Sequence, residues 1–388
     1  MVTLLYIAVG YLLLTTGILY LNRLDFRPLE PAPKKYFDEQ APEVSICIPA
    51  RNEANSIERC VRSAVEQQYS NHHVYVLNDD STDGTTKILE KLSSEFSTTL
   101  TVLSGAAKPN GWMGKSWACH QLSEQATGDI LLFIDADTWL EPEATSKVVR
   151  TMGRDVVDLI TLWPEQKLGS FWEKTVIPLV YFALLTLLPT RYVYRLPRWI
   201  PNFLKQKVAP QFAAACGQFM AFRRKAYQAI DGHESVKSQV VEDIELAKNM
   251  KRAGFKMKMY HGNQTVNCRM YSSSQELWEG FRKNFLAGFD HNIFLFVALG
   301  FLHLITFILP ALTLPFLLFF GTAKALTLCL LALGFMLLQR LIINHWFHWE
   351  LSYSLLHPLG VVWFQLLGLQ VLQDYFNGNS AVWKDRSI

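Results

Sequence analysis

Two aspartates separated by one alanine, Asp135-Ala136-Asp137, follow the apolar run 130–134. Residues two apart on an extended backbone point the same way, so both carboxylates leave the run on one side. Like charges held together need a cation or hydrogen-bond donors. A hard divalent ion shared between carboxylates and diphosphate oxygens meets that need. A surface turn with a capping Asp is the plainer account, and a lone D-x-D does not exclude it. Asp79-Asp80-Ser81-Thr82-Asp83-Gly84 follows another apolar run. Its carboxylates suit ribose hydroxyls or a base N–H, and a helix opening near Asp83 presents backbone donors; a capped turn is again the alternative. Arg51-Asn52-Glu53 ends a third run. Glu242-Asp243 opens an expected helix, 244–253, closed by Gly254. Asp243 there is placed to take a proton from an acceptor hydroxyl, its helix-start position keeping it ionised, although carboxylates in a first turn are commonly only dipole partners. Gly111-Trp112-Met113-Gly114-Lys115-Ser116-Trp117 lacks the spacing of a P-loop. Lys115 still offers charge to a diphosphate, and Trp112 or Trp117 a pocket wall.

The elements that must position these groups alternate. Residues 44–49, 74–77, 100–103 and 130–134 read as strands. Helices are expected from a capping box of Asn55 and Glu58 to Gln68, from Asp83 to Leu92, and over 117–126. Such alternation predicts an α/β domain with a mostly parallel sheet and helices on both faces. Ligands in these sheets bind at the carboxyl ends of the strands, where the polar groups fall.

Half of the 388 residues are hydrophobic and only 18% are charged, against roughly 25% in soluble domains, which points to a membrane fraction. Residues 2–21 form an uncharged run long enough to cross a bilayer, giving an N-terminal span over 1–22. A secretory signal is the competing reading, but no Lys or Arg precedes the run and no small-residue cleavage site follows. Residues 293–372 divide into about three further spans, 293–320, 323–343 and 355–372, the first broken by Pro310 and Pro315. Arg23, Arg27, Lys34 and Lys35 follow the first span, and the positive-inside tendency makes the next domain cytoplasmic. Within 171–212, apolar 176–188 is too short to span and is bracketed by Pro178 and Pro189. Arg191, Tyr192, Tyr194, Arg195, Arg198, Trp199 and Lys205 follow, a mixture suited to the headgroup zone; a helical insertion packed on the domain is the alternative. The tail 373–388 closes the chain. A net charge of +3 is too small to indicate a nucleic-acid partner. The six cysteines form no C-x-x-C pair, arguing against a disulfide framework or zinc site.

The order Pro49-Ala50-Arg51-Asn52-Glu53-Ala54, Asp79-Asp80-Ser81-Thr82-Asp83-Gly84, Asp135-Ala136-Asp137 and Glu242-Asp243 resembles a family 2 glycosyltransferase of GT-A fold, over most of residues 40–290. With Gly111–Ala118 and the terminal spans, the chain is similar to the branch holding bacterial carotenoid-acid and hopanoid-associated glycosyltransferases. The resemblance implies that Arg51, Glu53, Asp79 and Asp80 line the nucleoside pocket, Asp135 faces the ribose, and Lys115 lies near the donor. It implies Asp137 as the ligand of Mg²⁺ or Mn²⁺, Asp243 as general base, and Gln218 and Glu242 on the acceptor side. The implied reaction is inverting transfer of one sugar, glucose from UDP-glucose, to a lipid or isoprenoid acceptor at a cell membrane. The Gln-x-x-Arg-Trp motif of processive synthases is not spelled in 275–284, which argues for single transfer. A polyprenyl-phosphate sugar synthase and a non-catalytic membrane nucleotide-binding protein are the alternatives.

Overall fold

The computed structural model describes residues 1–31, 41–378, 382–383 and 386–387. Lys34, Lys35, Lys384 and Asp385 lie outside the described residues. The chain divides into two compact units, each assembled from separated stretches: Phe26–Lys167 with Thr190–Met270, and Met1–Asp25 with Leu168–Pro189 and Tyr271–Ile388.

The first unit is built on ten strands: β1 Val44–Ala50, β2 His72–Asn78, β3 Leu100–Ser104, β4 Ile130–Ile134, β5 Thr138–Leu140, β6 Leu159–Trp163, β7 Glu165–Gln166, β8 Phe219–Arg223, β9 Met257–His261 and β10 Val266–Cys268. Seven form one sheet in the order β3-β2-β1-β4-β8-β6-β9. Its central strands are continuous apolar runs because both faces are covered; all five residues of β4 are buried. β1 pairs in parallel with β2 and with β4. β8 runs antiparallel to both β4 and β6, and β6 and β9 are parallel. The expected mostly parallel α/β sheet is therefore present, with one reversed strand. A smaller sheet joins β10 antiparallel to β5 and parallel to β7.

Helix starts differ in detail from expectation. The first helix of this unit, Ile57–Val65, is preceded by Ser56 without a side-chain cap, so no Asn55–Glu58 capping box forms. A capping box does form at Ser170 and Glu173, opening the helix Phe171–Leu187. That helix belongs to the second unit. Pro178 lies inside it rather than at its edge, and Val176, Ile177, Leu179, Phe182 and Leu185 are buried. The apolar part of 171–212 is thus a packed helix.

Among the described residues the second unit holds four helices long and apolar enough to cross a membrane: Val2–Asp25, Ile293–Phe320, Ala323–Trp346 and Leu351–Asn377. One N-terminal and three C-terminal candidates match the expected number. The second contains a π turn, Leu304–Ile308, just before Pro310. Asn22 ties the N-terminal helix to Phe171–Leu187 by donating to the Leu185 and Leu188 carbonyls.

Candidate active site

Because β1, β2 and β4 are adjacent and parallel, Arg51, Asp79 and Asp135, each just past a strand end, emerge at one edge of the sheet. The loops after β1 and β2 are tied together. Asp79 N–H donates to the Ala50 carbonyl at 2.8 Å. Arg51 Nη1 donates to the carbonyls of Asp79 (2.6 Å) and Asp80 (3.2 Å). Asn52 N–H donates to Ser81 Oγ, and Thr82 N–H returns a bond to Asn52 Oδ1. Glu53 N–H donates to Thr85 Oγ1. Asn52 and Asp80 take left-handed backbone at φ 52° and 55°, a conformation that Asn and Asp tolerate better than most residues. Asp79 is buried, whereas the Asp80 carboxylate is open to solvent.

Asp83 is a structural tie. Its Oδ1 accepts from Thr85 N–H at the start of helix Thr85–Glu95, and its Oδ2 accepts from Ala54 N–H. Burial works against its charge, but the Thr85 and Ala54 hydrogen bonds hold its carboxyl below the ordinary range. The capped-turn account is correct for this residue.

Lys115 is the hub of the second group. It lies in the first turn of helix Gly114–Gln125, and its Nζ is 2.7 Å from Asp135 Oδ1 and 3.0 Å from Glu242 Oε1. Burial depresses the ammonium, yet the Asp135 and Glu242 carboxylates overcome it and hold Lys115 charged well above its usual range. Burial raises Glu242, and Lys115 more than reverses that. Asp243 opens helix Glu242–Arg252, with Oδ1 accepting from Ile244 N–H (2.8 Å) and Oδ2 from Gly217 N–H (2.7 Å). The helix start is one of several influences on its charge. Burial and the neighbouring Glu242 carboxylate outweigh Lys115 and the two N–H donors, and push Asp243 up to about 6. It remains mostly ionised at neutrality, near the range a general base needs. The approach at Gly217 is close: a Cβ there would lie 3.1 Å from Lys115 Nζ and 3.3 Å from Asp243 Oδ2.

Asp137 is pushed up to about 7 by burial first, then by the charges of Asp135 and Glu53, against a hydrogen bond from Cys268. A buried carboxyl beside two like charges is a donor that a hard cation fits. Among the described residues no three His, Cys, Asp or Glu side chains gather to hold an ion alone, so substrate oxygens must complete such a shell. Behind Asp137, Gln166 Nε2 donates to Gln218 Oε1 at 2.8 Å, and Gln218 Nε2 lies 3.0 Å from Cys268 Sγ. Gln218, expected on the acceptor side, is buried with its amide committed to these neighbours. It directly precedes β8 and lies beside Cys268. Cys268 and Gln166 carried no sequence signal. The pairing of β10 with β5 and β7 brings them together.

Trp112, Trp117 and His120 form an aromatic cluster with centroids 5.0–5.6 Å apart. Trp117 Nε1 donates to the Ala106 carbonyl, fixing the Lys115 loop. His233 is buried against Tyr227, with its Nδ1 2.6 Å from the phenol oxygen. Burial lowers it to about 3, so it is a neutral core residue. The six cysteines are free thiols.

Residues 45–231 match the family model Glycosyl transferase family 2, and residues 199–364 match Glycosyl transferase family 21. The chain is similar to 4,4'-diaponeurosporenoate glycosyltransferase of Staphylococcus haemolyticus, 26% identical over 278 residues, covering 71% of this chain and 68% of that protein. The Staphylococcus aureus protein of the same name is 27% identical over 249 residues, covering 63% and 61%. A mannosyltransferase from Pyrobaculum calidifontis, solved with GDP-Man and Mn²⁺, aligns over 93% of this chain and 99% of its own, with TM-score 0.55 and 17% identity. The fold is GT-A.

Proposed function

We propose that this chain, a hexosyltransferase carrying a family 2 glycosyltransferase domain, moves a single sugar from a UDP-sugar to a membrane-held acid or alcohol of isoprenoid type, with inversion. The observation that carries the reading is the Lys115 hub. It joins Asp135, at the edge where Asp79 and Arg51 emerge, to Glu242 beside Asp243. One cation thus fixes a donor-side carboxylate and the flank of the base relative to each other.

In this reading Asp79 and Asp80 bind the nucleoside, with Arg51 and Glu53 shaping their loop, and Asp135 faces the ribose. Asp137 would hold Mg²⁺ or Mn²⁺, which when bound neutralises charge on the leaving diphosphate. Asp243, aimed by Gly217 and Ile244, removes the proton of a hydroxyl acceptor as its oxygen attacks the sugar carbon. Glu242 keeps Lys115 seated, and Gln218 steadies Cys268 behind Asp137. UDP-glucose is the proposed donor, and a carotenoid acid, the substrate class named for the Staphylococcus relatives, the first acceptor to test. The domain is proposed to face the cytoplasm. The stretch 190–212 is proposed to rest on the membrane surface, because Trp199 and Phe203 are 80% and 82% exposed among Arg198, Lys205 and Lys207.

Incubating membranes containing the protein with labelled UDP-glucose and extracted lipids should yield one labelled monoglycosylated product, identified by mass spectrometry. Labelled polymer, or label remaining on the nucleotide, would reject single transfer. The cation assignment has its own test. An Asp137 carboxyl near 7 is protonated below that pH and competes with metal there. Thermal stabilisation by Mn²⁺ should therefore grow as pH rises from 6 to 8, and Asp137→Asn should abolish the growth. A pH-independent response in wild type would remove Asp137 from the cation site.

A further inference from the structure

The helical unit contains a guanidinium that its surroundings do not balance. Arg340 lies in Ala323–Trp346, one of the candidate spans, and is fully buried. Its Nη2 donates at 3.3 Å to the carbonyls of Lys174 and Thr175. The first contact has a local cause: Pro178 has no N–H, so the Lys174 carbonyl lacks its helical partner four residues on. That contact accounts for one end of the side chain only. Nε and Nη1 are buried without a partner, and among the described residues no carboxylate comes within ion-pair distance.

A second buried polar group deepens the imbalance. His357, at the start of helix His357–Asn377, is fully buried with both ring nitrogens unpartnered, and it is close enough to Arg340 to interact electrostatically. The Phe182 and Phe307 rings pack on His357, with centroids at 4.5 and 4.7 Å. Thr306, next to Phe307 in the π turn Leu304–Ile308, is a third buried group whose hydroxyl has no partner. π turns frequently mark functional sites. An uncompensated charge inside a membrane bundle costs several kcal/mol and marks a functional site by default. N–H donors from Arg340 and His357, walled by aromatic rings, call for an anion.

We propose that Arg340 and His357 form a binding site for the carboxylate or phosphate headgroup of an amphiphile, whose apolar tail lies along the surrounding helices. Its residues belong to the helical unit and Asp79–Asp243 to the other, and its test does not depend on the transferase reading.

The full-length protein, purified in detergent and stripped of lipid, is titrated with oleate, methyl oleate, dioleoyl phosphatidate and inorganic phosphate, and binding is followed by native mass spectrometry. Oleate and phosphatidate should bind about tenfold or more tighter than the neutral ester, the scale of a lost charge-assisted contact. Arg340→Met should erase that ratio while the ester binds as before. Inorganic phosphate displacing oleate at equal concentration would assign the anion to a soluble source; failure to displace assigns it to a headgroup. Equal binding of oleate and methyl oleate to wild type would overturn the proposal without any variant. So would an Arg340→Met protein that melts earlier yet keeps the wild-type ratio, leaving Arg340 as a cap for the Lys174 and Thr175 carbonyls.

Discussion

Asp243→Asn is expected to slow transfer to a hydroxyl acceptor by about 10²–10⁴-fold, the usual worth of a positioned general base. The same change should cost a carboxylate acceptor much less, because a carboxylic acid with a pKa of about 4 is already ionised near neutrality. The two acceptors should also differ in pH profile. In its proposed base role Asp243, pushed up to about 6 by burial and by Glu242, works only above about that value. The rate on a hydroxyl acceptor therefore falls as pH drops through about 6, and the limb disappears in the Asn variant. With a carboxylate acceptor this limb is absent in both proteins. Single-turnover rates against pH with one acid and one alcohol of the same chain length decide the matter. Near-wild-type rates of the Asn variant on the alcohol would remove Asp243 from the base role.

Removing the Lys115 charge should have the second large effect. Lys115→Met leaves Asp135, Glu242 and Asp243 close together without the cation that joins them. A third of the Lys115 side chain is exposed, so the stability loss is set at about 1–2 kcal/mol, between the surface and buried limits. The rate should fall further, by about 10²-fold, if the hub holds donor and base groups in register. The profile separates this from simple loosening. Lys115 lowers the Asp243 carboxyl, so without it the acid limb moves upward from about 6. Lys115→Arg keeps the charge and should keep the limb near its original place. An unmoved limb in Lys115→Met would show that the ion pairs have no hold on the base.

The parts of this site that are legible in the sequence lie at ends of local patterns. Apolar runs 44–49, 74–77 and 130–134 each stop at polar residues, and parallel pairing puts those stops at one edge. Periodicity also locates the terminal spans, since apolar runs of that length have few other uses. What escapes depends on distant chain segments. β8 runs against its neighbours, and nothing local in Phe219–Arg223 encodes that direction. The burial of Gln218 rests on Gln166 and Cys268, which come from two other segments. Cys268 meets Asp137 through a three-strand sheet joining segments over a hundred residues apart. A helix start predicts a charged Asp243 carboxyl, whereas burial and Glu242 set its charge. The length of Phe171–Leu187, too short to span, suggests a surface element; its buried face is set by neighbours elsewhere in the chain.

That helix also governs how the protein can be cut and made. Its residues interrupt the sheet-bearing unit between Lys167 and Thr190, while the rest of its own unit comes from stretches on either side, Met1–Asp25 and Tyr271–Ile388. No single cleavage frees a catalytic fragment. A chain truncated before Tyr271 keeps Phe171–Leu187 but loses the C-terminal helices of its unit, exposing an apolar face that invites aggregation. The ribosome, too, must deliver this helix long before the last span exists. The helical unit therefore cannot close until its C-terminal helices have been made.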